Sequence, residues 1–146
     1  MTGITGGCLC GRVRYVATGD SAFSGVCHCR NCQRYTGSAF EAFIAMPTAS
    51  VETTGELKTF EHPGGSGRPV YRCFCPNCGS GVINVIPHVG LTAVLAGTLD
   101  DPALFAPAME IWCINAQPWT QLVGARTKFL EGRSSALVET RPSVNS

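Results

Sequence analysis

The segment GVCHCRNCQRYTG (residues 25–37) holds three cysteines within six residues, and this cluster decides how the rest of the chain is interpreted. Cys27 and Cys29 form a C-x-C pair, and Cys32 completes a C-x2-C pair. Side chains two residues apart on an extended chain point the same way, so these thiolates can ligate one ion. Tetrahedral zinc takes four ligands, and this cysteine trio is one thiolate short. The segment therefore predicts a metal site whose fourth position is filled from elsewhere.

Two further clusters flank the trio in the sequence. One is GGCLCG, with Cys8 and Cys10, and the other is CFCPNCGS, with Cys75 and Cys78. A C-x2-C turn closes around an ion, and Gly79 after the second cysteine relieves the backbone there. Joining the two pairs gives a closed four-cysteine site, which has no vacancy for substrate and would be structural. The spacing alone leaves open which pairs share an ion, and the opposing interpretation is that Cys8 and Cys10 are ordinary small buried residues.

The trio has three possible interpretations. In an open site, the fourth position takes water, a substrate thiolate or another protein group, and zinc activates the oxygen or thiolate that it binds. In a closed site, Cys73 or Cys113 supplies the fourth thiolate. In a redox site, the C-x2-C pair forms a disulfide once the ion is lost. The spacing favours the open site, with Cys27, Cys29 and Cys32 as its catalytic ligands.

The remaining cysteines and the nearby histidine have simpler interpretations. His28 lies between two ligands on an extended run, so its side chain is expected to face away from the ion and to support the ligands or pack. Cys73 and Cys113 are predicted to be core residues of strands. The segment QPW (117–119) could line a pocket.

The composition limits the class of protein. Of 146 residues, 45% are hydrophobic and 14% are charged, as expected for one globular domain. Nine cysteines in tight spacings, without an export signal, favour metal thiolates over disulfides and a cytoplasmic protein. No apolar run is long enough for a membrane span, and a formal charge of +1 lacks the basic surplus of a nucleic-acid binder.

The glycine and proline content predicts short strands rather than long helices. The sequence has 17 glycines and 9 prolines. The segment RNCQRY is expected to form one helical turn before Gly37. Strands are predicted over residues 12–17, 23–26, 39–46, 57–62, 69–74, 81–86, 91–97 and 109–114. We therefore expect a compact, mainly β domain over residues 4–132, followed by a flexible tail over residues 133–146.

With these clusters in place, the chain resembles the family of glutathione-dependent formaldehyde-activating enzymes, which shares its domain with centromere protein V. The resemblance spans about residues 6–119, and the seven-cysteine pattern is its most specific part. The segments that carry it are GGCLCGRVRY (6–15), CHCRNCQRYTGSAF (27–40), TTGELKTFEHPGGSGRPVYRCFCPNCGS (53–80), LAGTLDDP (95–102) and QPW (117–119).

The resemblance implies a fold and a set of metal sites. The fold is a small zinc-containing domain of twisted β-sheet, called β-tent or Mss4-like. Two zinc ions per chain are implied, and we expect the second to be more labile. The family's structural zinc positions fall on Cys8, Cys10, Cys75 and Cys78, and its second, catalytic zinc falls on Cys27, Cys29 and Cys32.

The resemblance also implies a reaction. The named enzyme adds glutathione to formaldehyde to give S-hydroxymethylglutathione, and it is classed as a carbon–sulfur lyase. We expect a zinc-dependent enzyme of this type, whose partners are a glutathione-like thiol and a small aldehyde. Many members carry a lysine where this chain has Ala116, so the preferred thiol need not be glutathione itself. Two alternatives stay open: a carrier of small thiols that catalyses nothing, and an interaction domain in which both zinc ions are structural.

Overall fold

The computed structural model describes residues 3–124 and 126–138. This part of the chain is built from short strands, one short α-helix and several 3-10 turns, which confirms the expected mainly β fold. The strands are β1 (Ile4–Gly7), β2 (Arg14–Ala17), β3 (Phe23–Cys27), β4 (Glu41–Pro47), β5 (Val51–Thr54), β6 (Lys58–Pro63), β7 (Pro69–Phe74), β8 (Gly81–Ile86), β9 (Leu91–Leu95), β10 (Met109–Ile111) and β11 (Thr127–Lys128), and the helix is α1 (Arg30–Thr36). No helix in the described ranges is long and apolar enough to cross a membrane.

The strands form two sheets. The smaller sheet has the order β1–β2–β5, and the larger sheet has the order β11–β10–β3–β4–β9–β8–β7–β6. Neighbouring strands are antiparallel, except that β10 runs parallel to both β3 and β11. Strand β6 is therefore an edge of the larger sheet, and a hairpin joins it to β7.

Strand β4 crosses the centre of the protein and is buried on both faces. Ile44 and Met46 belong to the main core, together with residues of β2, β8 and β9. Phe43 and Ala45 belong to a second apolar cluster, which includes two cysteines of the trio. Successive side chains of a strand point to opposite faces. The smaller sheet therefore packs on one face of the larger sheet, and the trio lies on the other.

Helix α1 has a well-defined start and end. The thiol sulfur of Cys29 caps the helix by accepting a hydrogen bond from the amide of Cys32 at 3.3 Å. The helix stops at Gly37, whose φ of 68° is the left-handed conformation that glycine adopts without steric cost. The amide of Gly37 donates to the carbonyl of Gln33. The predicted helical turn is present, and its start fixes two cysteines of the trio relative to each other.

The C-terminal part of the described chain differs from the prediction. The strand predicted over residues 109–114 ends at Ile111, because the backbone turns at Trp112 and continues as a 3-10 turn, Cys113–Asn115. The amide of Trp112 donates to the carbonyl of Glu131 at 2.8 Å, so a later segment holds this turn in place.

The predicted tail is only partly described. Residues 133–138 return alongside residues 128–130, with the amide of Leu130 donating to the carbonyl of Ala136 at 2.8 Å. The amide of Val138 likewise donates to the carbonyl of Lys128 at 2.9 Å. The rest of the predicted tail, residues 139–146, lies outside the described residues.

Candidate metal centres and the adjoining cavity

The first cysteine cluster lies where two turns meet. Cys8 and Cys10 are in the turn between β1 and β2, and Cys75 and Cys78 are in the turn between β7 and β8. Their four sulfurs lie within 4.8 Å of one another. The sulfurs of Cys8 and Cys10 are 3.6 Å apart, and those of Cys10 and Cys75 are 3.8 Å apart. Zinc–sulfur bonds of about 2.3 Å in a tetrahedron separate the sulfurs by about 3.8 Å, so this cluster has the dimensions of a four-thiolate zinc site.

Local hydrogen bonds favour the thiolate form of two cysteines in this cluster. The hydroxyl of Ser80 lies 3.2 Å from the sulfur of Cys78, and this hydrogen bond is the main cause that lowers the pKa of Cys78 to about 5. The amide of Val13 donates to the sulfur of Cys8 at 3.2 Å. Metal ligation requires deprotonated cysteine, so these donors pre-arrange the cluster for a cation.

The trio forms a second, separate cluster. Cys27 ends β3, Cys29 caps α1, and Cys32 lies within α1; their sulfurs lie within 4.8 Å of one another. Among the described residues, neither Cys73 nor Cys113 joins this group. Within the described residues, no fourth cysteine therefore lies close enough to complete a closed four-thiolate site.

Both remaining cysteines lie elsewhere. Cys73 belongs to the main core and lies 3.6 Å from the hydroxyl of Thr59, as expected for a core strand residue. Cys113 is half-buried in the turn after β10, beside His28 and Glu110, so its predicted place in a core strand is wrong.

The three thiols of the trio differ in pKa. Hydrogen bonds from the thiols of Cys27 and Cys32 lower the pKa of Cys29 to about 2. The pKa values of Cys27 and Cys32 are raised, first by their hydrogen bonds within the trio and also by burial. Cys29 is therefore a thiolate that accepts hydrogen bonds from the neutral thiols of Cys27 and Cys32. A metal ion bound by all three sulfurs would displace those two protons.

A cavity of about 160 Å³ adjoins the trio. It lies between α1, the larger sheet and the loop that joins β6 to β7. Its lining consists of Cys27, Cys29, Asn31, Cys32, Glu41, Phe43, Gly64, Gly65, Val70, Arg72, Asn84, Ile86, Ala93, Ile111 and Trp112. Most of these side chains are apolar, and the polar ones converge near Cys32.

The polar residues form a buried network. A carboxylate oxygen of Glu41 lies 3.5 Å from the sulfur of Cys32 and also accepts a hydrogen bond from Nδ2 of Asn84 at 3.0 Å. The guanidinium of Arg72 lies 3.4 Å from the other oxygen of Glu41 and 3.8 Å from the sulfur of Cys32. Burial is the main cause that raises the pKa of Glu41 above its ordinary value. Arg72 supplies the positive charge that offsets the carboxylate and the thiolates.

One acceptor of this network is free. Oδ1 of Asn84 has no hydrogen-bond partner within the described part of the chain, although the residue is only 3% exposed. Buried polar atoms normally have a partner, so a free acceptor on a cavity wall indicates a group that binds there.

Trp112 forms another wall and has an unusual backbone. Its φ of 58° lies in the left-handed region, which is rare for a bulky residue, and such strained residues cluster at active sites and ligand-binding segments. Its ring packs against the backbone of Gly65, where an added Cβ would lie 2.2 Å from Cζ2 of the indole. Glycine in the β6–β7 loop is therefore needed for this close approach.

The side chain of His28 lies outside the trio. Its Nε2 lies 2.8 Å from a carboxylate oxygen of Glu110, and the other oxygen of Glu110 accepts from Arg126 at 3.1 Å. His28 groups with Glu110 and Cys113, and the trio forms its own group. The side chain therefore faces away from the trio, as expected, and its role in supporting or packing against the ligands stays a prediction. The QPW segment lies elsewhere: Gln117 and Trp119 line a shallow pocket on the outer side of α1, together with Arg30 and with Arg34, which also reaches the opposite side of the helix.

Sequence reasoning missed the second half of the site. Glu41, Arg72, Asn84 and Trp112 were not predicted to lie beside the trio. A signal was present, because Arg72 and Asn84 interrupt the apolar faces of central strands, where a polar residue needs a partner.

The fold and its clusters define a mainly β protein with one four-cysteine and one three-cysteine cluster, each with the dimensions of a metal site. The chain matches the model of the glutathione-dependent formaldehyde-activating enzyme family over residues 3–115. The chain belongs to this family, and the family is consistent with the expected Mss4-like fold.

Two other comparisons add less. A crystal structure of a Rhodobacter sphaeroides protein, solved as a structural-genomics target, matches with a TM-score of 0.55 and 19% identity. The match covers 70% of this chain and 96% of that chain, and at this identity it shows the fold alone. No curated protein matches the sequence.

Proposed function

We propose that the protein is a zinc-dependent enzyme of the carbon–sulfur lyase type that joins and separates a glutathione-like thiol and a small aldehyde. One observation carries this proposal. The four-cysteine cluster offers a full ligand set, whereas the trio offers three sulfurs beside a cavity of about 160 Å³. A closed site is structural, and a site with a vacancy beside a cavity is typical of catalysis.

The two clusters would hold different ions. Cys8, Cys10, Cys75 and Cys78 would hold a structural zinc that ties the β1–β2 turn to the β7–β8 turn. The trio would hold the second zinc. Bound zinc supplies a Lewis acid that lowers the pKa of a thiol and polarises a carbonyl.

The reaction is a reversible addition. A bond forms between the thiol sulfur and the aldehyde carbon while the carbonyl π bond breaks. The thiol loses its proton and the carbonyl oxygen gains one, so the product is a hydroxyalkyl thioether. The reverse reaction breaks the carbon–sulfur bond and regenerates both partners.

The chain's own residues would bind and orient these groups. The product carries a hydroxyl, and the free Oδ1 of Asn84 can accept its hydrogen bond. The guanidinium of Arg72 balances negative charge beside Cys32. Phe43 and Ile86 give the cavity apolar walls that keep water from the reacting atoms.

Exchange spectroscopy by NMR tests the proposal. Zinc-loaded protein should speed the exchange between ¹³C-formaldehyde and its adduct with glutathione above the rate without protein. Cys32→Ser should abolish this acceleration, and Cys113→Ser, at a cysteine outside both clusters, should keep it. Thiol binding without acceleration would indicate a carrier instead, and neither binding nor acceleration would favour an interaction domain.

A further inference from the structure

A groove beside the cavity is not used by the chemistry described above. It lies between helix α1 and edge strand β6 and has a volume of about 320 Å³. Its walls are formed by Asn31, Arg34, Tyr35, Phe60, His62 and Arg72. We propose that this groove binds the remote part of the thiol substrate, and that this part carries a flat apolar group and an anionic group. The inference rests on the proposed function, because it takes the sulfur of that substrate to lie beside the trio.

The groove and the cavity form one continuous surface. Asn31 and Arg72 line both. In the β6–β7 hairpin, Phe60 pairs with Arg72 and His62 pairs with Val70. Paired residues share a face of the sheet and lie on strands about 4.8 Å apart. A ligand whose sulfur lies beside the trio can therefore extend over Arg72 onto Phe60 without leaving the protein surface.

Flat side chains line the groove. Phe60 is 55% exposed, and its ring stacks on the imidazole of His62 with a centroid distance of 6.0 Å and an interplanar angle of 28°. On the helix side, the ring of Tyr35 lies 4.7 Å from the guanidinium of Arg72. Stacked planes that end in an exposed ring favour a flat, apolar ligand group.

The groove also holds an available positive charge. Within the described residues, the guanidinium of Arg34 has no ion-pair or hydrogen-bond partner, whereas Arg72 is paired with Glu41. None of the six wall residues is acidic. An anionic group of the ligand thus meets a free cation without a competing carboxylate.

Calorimetry on zinc-loaded protein with three thiols measures how much the flat group and the anionic group each contribute to binding affinity. The probes are 2-mercaptoethanol, benzyl mercaptan and 4-(mercaptomethyl)benzoate. Benzyl mercaptan should bind about two- to tenfold more tightly than 2-mercaptoethanol because of its ring. The carboxylate of 4-(mercaptomethyl)benzoate should increase the affinity by a further factor of about two to five, and high salt should suppress this second gain. Phe60→Ala should remove the gain from the ring, and Arg34→Gln should remove the gain from the carboxylate. Arg30→Gln, on the same helix but facing the outer pocket, should leave both gains intact.

A thiol-free probe separates this inference from the proposed function. In NMR titrations, 4-methylbenzoate should cause saturable shifts at Arg34, Phe60 and His62 in the millimolar range, both in fully zinc-loaded protein and after mild chelation has emptied the trio alone. If 2-mercaptoethanol fails to bind while these shifts are seen, the proposed function is wrong and the groove remains a binding site. The inference is overturned if 4-methylbenzoate causes no saturable shifts there, or if the aromatic thiols gain nothing over 2-mercaptoethanol.

Discussion

Replacing Arg72 by methionine should strongly destabilise the zinc-loaded protein. The guanidinium is buried and lies 3.4 Å from the carboxylate of Glu41, which is itself buried. Removing one partner of a buried ion pair leaves an uncompensated charge, at a cost of about 3–5 kcal/mol. That is a large part of a typical net stability of about 5–15 kcal/mol. Arg72→Met is therefore expected to lower the free energy of unfolding in urea by about 3–5 kcal/mol.

The double variant Arg72→Met/Glu41→Gln identifies the cause. Because it removes both charges, it should recover much of the stability that Arg72→Met loses. Arg34→Gln is the matched control, since that arginine is exposed and makes no ion pair or hydrogen bond within the described residues, and should change stability by less than about 0.5 kcal/mol. An Arg72→Met variant within about 1 kcal/mol of wild type, or a double variant no more stable than the single one, would refute the reasoning.

The pH dependence of this variant follows from the same carboxyl group. Burial holds the pKa of Glu41 above its ordinary value, and loss of Arg72 should raise that pKa further. A group whose pKa is raised on folding contributes stability below its unfolded pKa and loses it as pH rises through the folded pKa. The stability difference between Arg72→Met and wild type should therefore shrink as pH falls toward about 4.3 and grow above neutrality.

Three further predictions concern the metal sites and their support. Cys10→Ser or Cys78→Ser should give unfolded or insoluble protein, because a structural zinc contributes on the order of 10 kcal/mol to the free energy of folding. A variant that melts like wild type and keeps its full zinc content would contradict this prediction. Mild chelation should remove about one zinc, from the trio, while circular dichroism keeps its folded spectrum; collapse with the first equivalent would mean that both sites are structural. Glu110→Gln should lower the melting temperature most above pH 5, and an equal effect at pH 3 would contradict it. Although burial alone would raise the pKa of Glu110, hydrogen bonds from His28 and Arg126 lower it, so its stabilisation is present above about pH 4.3 and lost as pH falls through its folded pKa.

The sequence predicts the strands and cysteine groups well because both are local patterns. C-x-C and C-x2-C spacings bring sulfurs together within one turn, and alternation identified β7 and β8 at the bounds that the structure has. Three strands were missed: β1 is half glycine, β5 is mostly exposed, and β11 has only two residues, so none of them shows an apolar alternation. The meeting of the two turns in the four-cysteine cluster is a long-range contact, and the family resemblance supplied the pairing that spacing had left open.

The rest of the site depends on contacts that no local pattern records. Glu41 and Arg72 meet because β4 and β7 belong to one sheet, although they are 31 residues apart in sequence. The left-handed turn at Trp112 depends on its hydrogen bond to Glu131, so the apolar segment around it was predicted to continue as strand. The positions of these residues depend on strand register and long-range pairing, and a single sequence reveals neither.

Cobalt substitution can show whether the trio binds an ion with one position left for a thiol. After mild chelation, Co²⁺ should enter the trio and report its ligands through sulfur-to-metal charge-transfer absorption. Adding 2-mercaptoethanol should increase this band by about one third, as a fourth thiolate joins three, and Cys32→Ser should abolish the response. A spectrum that already shows four thiolates before the thiol is added, or one that the thiol leaves unchanged, would mean that the trio has no open position for a thiol.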